Sequence, residues 1–198
     1  MAKLIDELRP AEALYILSYA GKEDLVEEKL LAAALAYLGT QGYLAPTGEG
    51  FTLAKPDFRE DENLRKYESR LLQCFEENRE SELPEVMKGC NLRKRLVKQG
   101  FLERKKVETG FWIFSLREKE YSTTGKFDQA VQELESLRQE IKTAQEQGTS
   151  LTGEQAMMAY AFPSILETDE FESYVQSSPH RKMTNSVRNI FALNCVFF

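Results

Sequence analysis

The sequence predicts a mainly α-helical fold with small β-hairpins, two winged-helix-like units in tandem followed by a helical C-terminal part. Three observations predict it. Two stretches repeat the same landmarks about 56 to 58 residues apart, each stretch closes on an alternating, glycine-punctuated segment, and beyond Thr124 the apolar residues take a heptad spacing. At 198 residues the chain suits one large domain or two small ones, and its 42% hydrophobic and 11% aromatic content is that of a packed protein.

The first unit is assigned to residues 1–56. It opens with Leu8, Arg9, Glu12 and Ile16, and Ala13, Ile16, Leu17 and Ala20 carry the helical period. A second helix is expected from Leu25 to Leu38, ended by Gly42 as a left-handed cap. GYLAPTGEGFTLA then reads as strand, turn, strand. The second unit, residues 57–122, repeats the plan. Leu64, Arg65, Glu68 and Leu72 match the opening, a helical region is expected from about Glu85 to Lys98, and Gly100 matches Gly42. GFLERKKVETGFWIFSL follows as a hairpin with a longer, more aromatic return strand. Because a cap glycine before a buried strand residue is common in α+β proteins, chance recurrence is the competing explanation.

Residues 123–148 are predicted to form a long amphipathic helix, with Phe127, Ala130, Leu134, Leu137, Ile141 and Ala144 at alternating spacings of three and four. That stripe suits a helix docked on the units or a homodimer seam through residues 127–144. In the helical C-terminal segment, 149–198, Thr152 and Gln155 resemble a capping box, Thr168 is expected to cap another short helix, and SSPHRK reads as a loop. The apolar end, 187–198, completes the core or forms a docking surface.

LRPAEALYIL, AAALAYLGTQGYL, LRKYESRLLQCF and YSTTGK leading into a polar helix resemble the cytosolic C-terminal region of the bacterial and archaeal membrane proteins known as domain of unknown function 2207. The resemblance covers roughly residues 8 to 165. It implies the tandem architecture and brings no catalytic residue. A weaker likeness is to the Golgi phosphoprotein family, which implies binding to anionic lipid.

Several chemistries are disfavoured by residue types. A lone His180 leaves no second histidine for a metal or triad site, and the three cysteines, Cys74, Cys90 and Cys195, are too scattered for a CxxC centre or a disulfide framework. There is no glycine-rich phosphate loop, so no cofactor is expected and the chain is read as non-enzymatic. The N-terminus lacks a signal-peptide pattern and no window of about 18 uncharged apolar residues occurs, which predicts a cytoplasmic chain without a transmembrane segment.

Charge distribution supplies the candidate site. The formal net charge is −6, and residues 57–85 hold 10 acids against 5 bases, whereas residues 88–106 hold 8 bases against Glu103 alone. If Leu92, Leu96 and Gln99 face the core, then Asn91, Lys94, Arg95 and Lys98 lie on the outer face beside Arg93, with Arg104, Lys105 and Lys106 on the wing. The function expected is a cytosolic adaptor or interaction module binding a protein partner or an anionic membrane surface. The alternative is a DNA- or RNA-binding regulator that uses the basic helix and wing through residues 88–106. A third outcome is that the acidic stretch of the same chain neutralises the cluster.

Overall fold

The computed structural model describes residues 4–47, 50–109, 116–166 and 181–187, and the side chains of these except at 106–109, 116–119, 153 and 154. A 3-10 turn at Leu4–Glu7 leads into helix α1 (Pro10–Tyr19). Its first turn is set by two features: Pro10 at the first helical position, and Glu12 Oε2, which accepts the Arg9 N–H at 3.1 Å. Helix α3 (Lys66–Glu76) opens in the same way, with the Arg65 N–H donating to Glu68 Oε2 at 2.6 Å.

Helix α2 (Glu27–Thr40) lies between these openings, and every residue from Leu30 to Leu38 is buried. An all-round apolar helix of this kind must be covered on several sides. Here α1 and helix α4 (Leu83–Lys88) pack on it, together with a 3-10 turn at Ala159–Ala161. Gly39 adds a close approach, because a Cβ there would lie 2.7 Å from Met183 Sδ of the helical segment 181–187.

Both units turn from helix to hairpin by the same device. Gly42 has φ +75° and the Tyr43 N–H donates back to the Leu38 carbonyl at 3.0 Å; Gly100 has φ +81° and the Phe101 N–H donates to the Leu96 carbonyl at 2.9 Å. These are six-to-one bonds of a Schellman cap, and they drive Tyr43 and Leu44, or Phe101 and Leu102, into the core. Strands β1 (Leu44–Pro46) and β2 (Phe51–Leu53) pair antiparallel, with Leu44 opposite Leu53. Strands β3 (Leu102–Thr109) and β4 (Leu116–Thr123) pair with Leu102 opposite Thr123. The fold is thus mainly helical with two small antiparallel hairpins, each following the helices of one repeat.

One expectation for the second unit is corrected and another lies partly outside the described residues. The single helical region from Glu85 to Lys98 is two helices, α4 and α5 (Leu92–Lys98), because α4 stops at Gly89 and the Asn91 side chain accepts the Lys94 N–H at 2.9 Å to start a new helix. The described part of the return strand is Leu116–Thr123, and residues 111–114, which carry the expected aromatic character, lie outside the described residues.

Helix α6 (Gly125–Glu146) starts where Thr124 Oγ1 accepts the Phe127 N–H at 3.2 Å. Phe127, Ala130, Leu134, Leu137 and Ile141 are buried against the Leu4–Glu7 turn and α1. Of the two readings of residues 127–144 the docked helix is the one observed, and the homodimer seam draws no support from a stripe that is covered within the chain. Helix α7 (Gly153–Met158) has the expected capping box, with Thr152 Oγ1 and Gln155 Oε1 each accepting the other's backbone N–H. Helix α8 (Pro163–Leu166) follows. The helix expected after Thr168, His180, Cys195 and residues 188–198 lie outside the described residues. Among the described residues no helix is long and apolar enough to cross a membrane.

The linker between units is fastened through Asp61. Tyr43 Oη donates to Asp61 Oδ2, the Asn63 N–H donates to Oδ1 at 3.0 Å, and Lys55 Nζ lies 3.3 Å from Oδ2. The phenol hydrogen bond chiefly holds the Asp61 carboxyl down at about 2, while burial and the same bond push Tyr43 up to about 12.

Two predictions follow from these contacts. Because nothing lies within 4 Å of a Cβ built at Gly42 or Gly100, alanine at either meets only backbone strain, and each substitution is expected to lower stability in urea unfolding by about 1 to 2 kcal/mol. Asp61 has a folded pKa below its ordinary value, so its stabilising contribution is present above about 3.8 and is lost as pH falls toward about 2. Tyr43→Phe should raise the Asp61 pKa toward 3.8 in a carboxyl carbon NMR titration, and an unchanged midpoint would refute the assigned cause.

Candidate functional site

Two glutamates with no exposed surface, Glu12 and Glu68, occupy the junction of the two units. Each caps its own helix and is also met by the arginine that precedes the other. Arg9 Nε lies 3.5 Å from Glu68 Oε1, and Arg65 Nε lies 3.7 Å from Glu12 Oε1. Each arginine then reaches the main chain of the other unit: Arg9 Nη2 donates to the Asn63 carbonyl and Arg65 Nη2 to the Glu7 carbonyl, both at 3.3 Å. Glu7, Arg9 and Glu12 correspond to Asn63, Arg65 and Glu68 at one constant offset. The repeated Leu-Arg-x-x-Glu signature is therefore a reciprocal clasp, with the symmetry of a two-fold interface inside one chain. Burial raises the Glu68 carboxyl above its ordinary value, against the opposing pull of the Arg65 N–H and of Arg9.

The clasp is not symmetrical in charge. By alignment of the caps, Tyr37 of α2 corresponds to Arg95 of α5. In unit one the Arg9 guanidinium stacks over the Tyr37 ring at 4.3 Å; in unit two Arg95 Nε donates to Glu12 Oε1. Arg95 is thus half-buried and held by a buried carboxylate, which corrects its placement among the outward-facing candidates. The cause lies in the short α5, which docks on α1 so closely that the residue one turn before Gln99 meets Glu12.

Other candidates divide in the same way. Arg93 Nε donates to Tyr15 Oη at 3.0 Å and its guanidinium lies 5.0 Å from the Tyr121 ring centre, so it fastens the hairpin base to α1. The Asn91 side chain caps α5. Lys105 is exposed on β3 opposite Glu120, on the ribbon face away from Arg104, and the side chain of Lys106 lies outside those described. Of the eight candidates Asn91, Lys94, Arg95, Lys98 and Arg104 line one cleft, and in it Lys94, Lys98 and Arg104 are the ones not engaged as a cap or by a carboxylate.

The cleft has a volume of about 890 Å³ and lies between α3, the α4–α5 junction, α5 and the base of the second hairpin. From α3 it also receives Lys66 and Arg70, which the sequence reading counted only within an acidic stretch. Their spacing of four residues, which puts both on one helix face, was the available signal. Among the described residues Lys66, Arg70, Lys94, Lys98 and Arg104 make no side-chain hydrogen bond or ion pair, and no described Asp or Glu side chain lines the cleft. Arg65 and Arg95 add two cations that Glu12 already holds.

Among the described residues no acid of residues 57–85 pairs with these five cations. Glu76 pairs with Arg59, Glu77 and Glu82 with Arg79, Glu68 with Arg9, and Asp61 with Lys55. Between the cations the wall is apolar, formed by Val86, Val97, Cys90 and Tyr121. Burial pushes the Cys90 thiol up to about 11, so at neutral pH it is an uncharged part of that wall rather than a thiolate. Tyr67 Oη is buried beside the Glu68 carboxylate, and burial, with that carboxylate, keeps the phenol protonated.

Removing Glu12 leaves Arg95 and Arg65 without their carboxylate, whereas removing Arg95 leaves Glu12 with Arg65 and the Arg9 N–H. Glu12→Ala should therefore cost about 3 kcal/mol in urea unfolding, and Arg95→Ala about 1 kcal/mol, a difference that an equal loss for the two would contradict. No family model matches the chain, and no curated protein or solved structure matches it either, so the meaning of the cleft rests on its own residues.

Proposed function

We propose that the chain is a non-enzymatic cytosolic interaction module of two winged-helix-like units, and that it engages an anionic partner through the cleft of the second unit. The winged-helix reading draws support from the order of elements in that unit, where α3, α4 and α5 precede the β3–β4 hairpin. The observation that carries the binding reading is the set of five cations from α3, α5 and β3 that converge on one concave surface without an internal carboxylate. Holding like charges together costs free energy unless an anion joins them.

Binding of nucleic acid through α5 and the hairpin is the second reading, favoured by Lys94 and Lys98 on the helix beside Arg104 on the strand. Two features weigh against it. Helix α5 has seven residues, about 10 Å of length, and both Arg93 and Arg95 are tied to α1.

A salt series with the full chain tests the proposal, using polyglutamate peptide, anionic vesicles, duplex DNA and single-stranded RNA as probes. The expected result is saturable binding to the peptide or the vesicles that weakens with salt and falls about tenfold or more in Lys94→Glu/Lys98→Glu. Preferential, variant-sensitive binding of DNA or RNA would establish the second reading instead. Equal, weak binding by both proteins to every probe would overturn the module.

A further inference from the structure

The cleft differs from a polymer-binding track in three ways. The basic cluster has no counterpart in unit one, where the positions that correspond to Asn91, Lys94 and Lys98 are Ala33, Ala36 and Thr40, and the chain as a whole carries a formal net charge of −6. A long polyanion would therefore find no second basic helix in the other repeat to continue along. Its volume, about 890 Å³, falls in the range of sites that enclose a small organic molecule. Its cations also surround an uncharged wall, Val86, Val97, Cys90 and Tyr121, which a bare inorganic anion would leave exposed to water.

We infer that the cleft binds a compact organic polyphosphate, several clustered negative charges joined to one flat or apolar body, as in a nucleoside triphosphate. This rests on the reading of the cleft as an anion site and names its ligand. The phosphate groups meet Lys66 and Arg70 on one side and Lys94, Lys98 and Arg104 on the other, and the apolar body lies on the Val97 and Tyr121 wall. Recognition is by side-chain cations and not by a glycine-rich loop, which is why no phosphate-loop motif marks it in the sequence. Arg65 and Arg95 stay with Glu12 and fix the positions of α3 and α5 on either side of the ligand.

Calorimetric titration of the full chain with magnesium-free ATP, tripolyphosphate and adenosine tests this inference. ATP and tripolyphosphate should bind saturably, ATP about tenfold tighter because only it covers the apolar wall, and adenosine alone should not bind measurably. Lys94→Glu/Lys98→Glu and, from a different element, Arg104→Glu should each weaken ATP about tenfold or more, while Lys142→Glu, on α6 and outside the cleft lining, should leave it unchanged. Thermal unfolding of each variant shows whether it is folded, and Arg104→Glu keeps the test decisive if the α5 double variant is not. Absence of saturable ATP binding, or binding equal in wild type and folded variants, overturns the inference. If polyglutamate or vesicles bind in a variant-sensitive way and ATP does not displace them, this ligand falls and the module stands. If none of these probes binds, both fall.

Discussion

Glu12 and Glu68 are carboxylates with no access to solvent, and the arrangement of both units follows from how their charge is met. An ionised carboxylate in a protein interior needs several donors, and each of these draws on its own helix N-terminus and on an arginine from the other repeat. Neither unit satisfies its glutamate alone. The requirement fixes the distance and orientation between α1 and α3, and the main-chain carbonyls of Glu7 and Asn63 lock the same arginines a second time. Helix α2 is then enclosed by α1, α4 and the C-terminal elements, which explains how a helix apolar on nearly all sides is tolerated.

The departure from symmetry is where function enters. A tyrosine in unit one and an arginine in unit two occupy corresponding positions on the helices that precede the hairpins, and each lies against the clasp. The arginine ties α5 to α1 and leaves the flanking lysines, Lys94 and Lys98, on the side that faces α3 across the cleft. Five of the acids in residues 57–85, Asp61, Glu68, Glu76, Glu77 and Glu82, pair elsewhere, with Lys55, Arg9, Arg59 and Arg79. A strongly basic concavity thereby persists in a chain of acidic composition.

Elements with a local cause were legible in the sequence. The cap glycines, the Thr124 start of α6, the Thr152–Gln155 box and the heptad stripe all depend on residues within a few positions of one another, and each has its expected geometry. The repeat itself was visible because the clasp demands arginine and glutamate at a fixed spacing in both copies. What misled was also local: an apolar period running through Glu85–Lys98 concealed the cap at Asn91. The stripe of apolar residues on α6 left two readings open, because it looks alike whether its cover is the same chain or a second one.

The candidate site shows the division most clearly. By itself the sequence determined that residues 88–106 are rich in cations, and which of them share a helix face, because helical spacing is a property of the backbone. Only the tertiary structure decided which charges are committed and which are free. Arg95 meets a carboxylate 83 residues away and Arg93 a phenol 78 residues away, while Lys66 and Arg70, embedded among acids in the chain, come to face Lys94 and Lys98. Charge pairing depends on distances of a few ångströms in space, and for these side chains that distance is set by the docking of α1, α3 and α5, to which their positions along the chain are no guide.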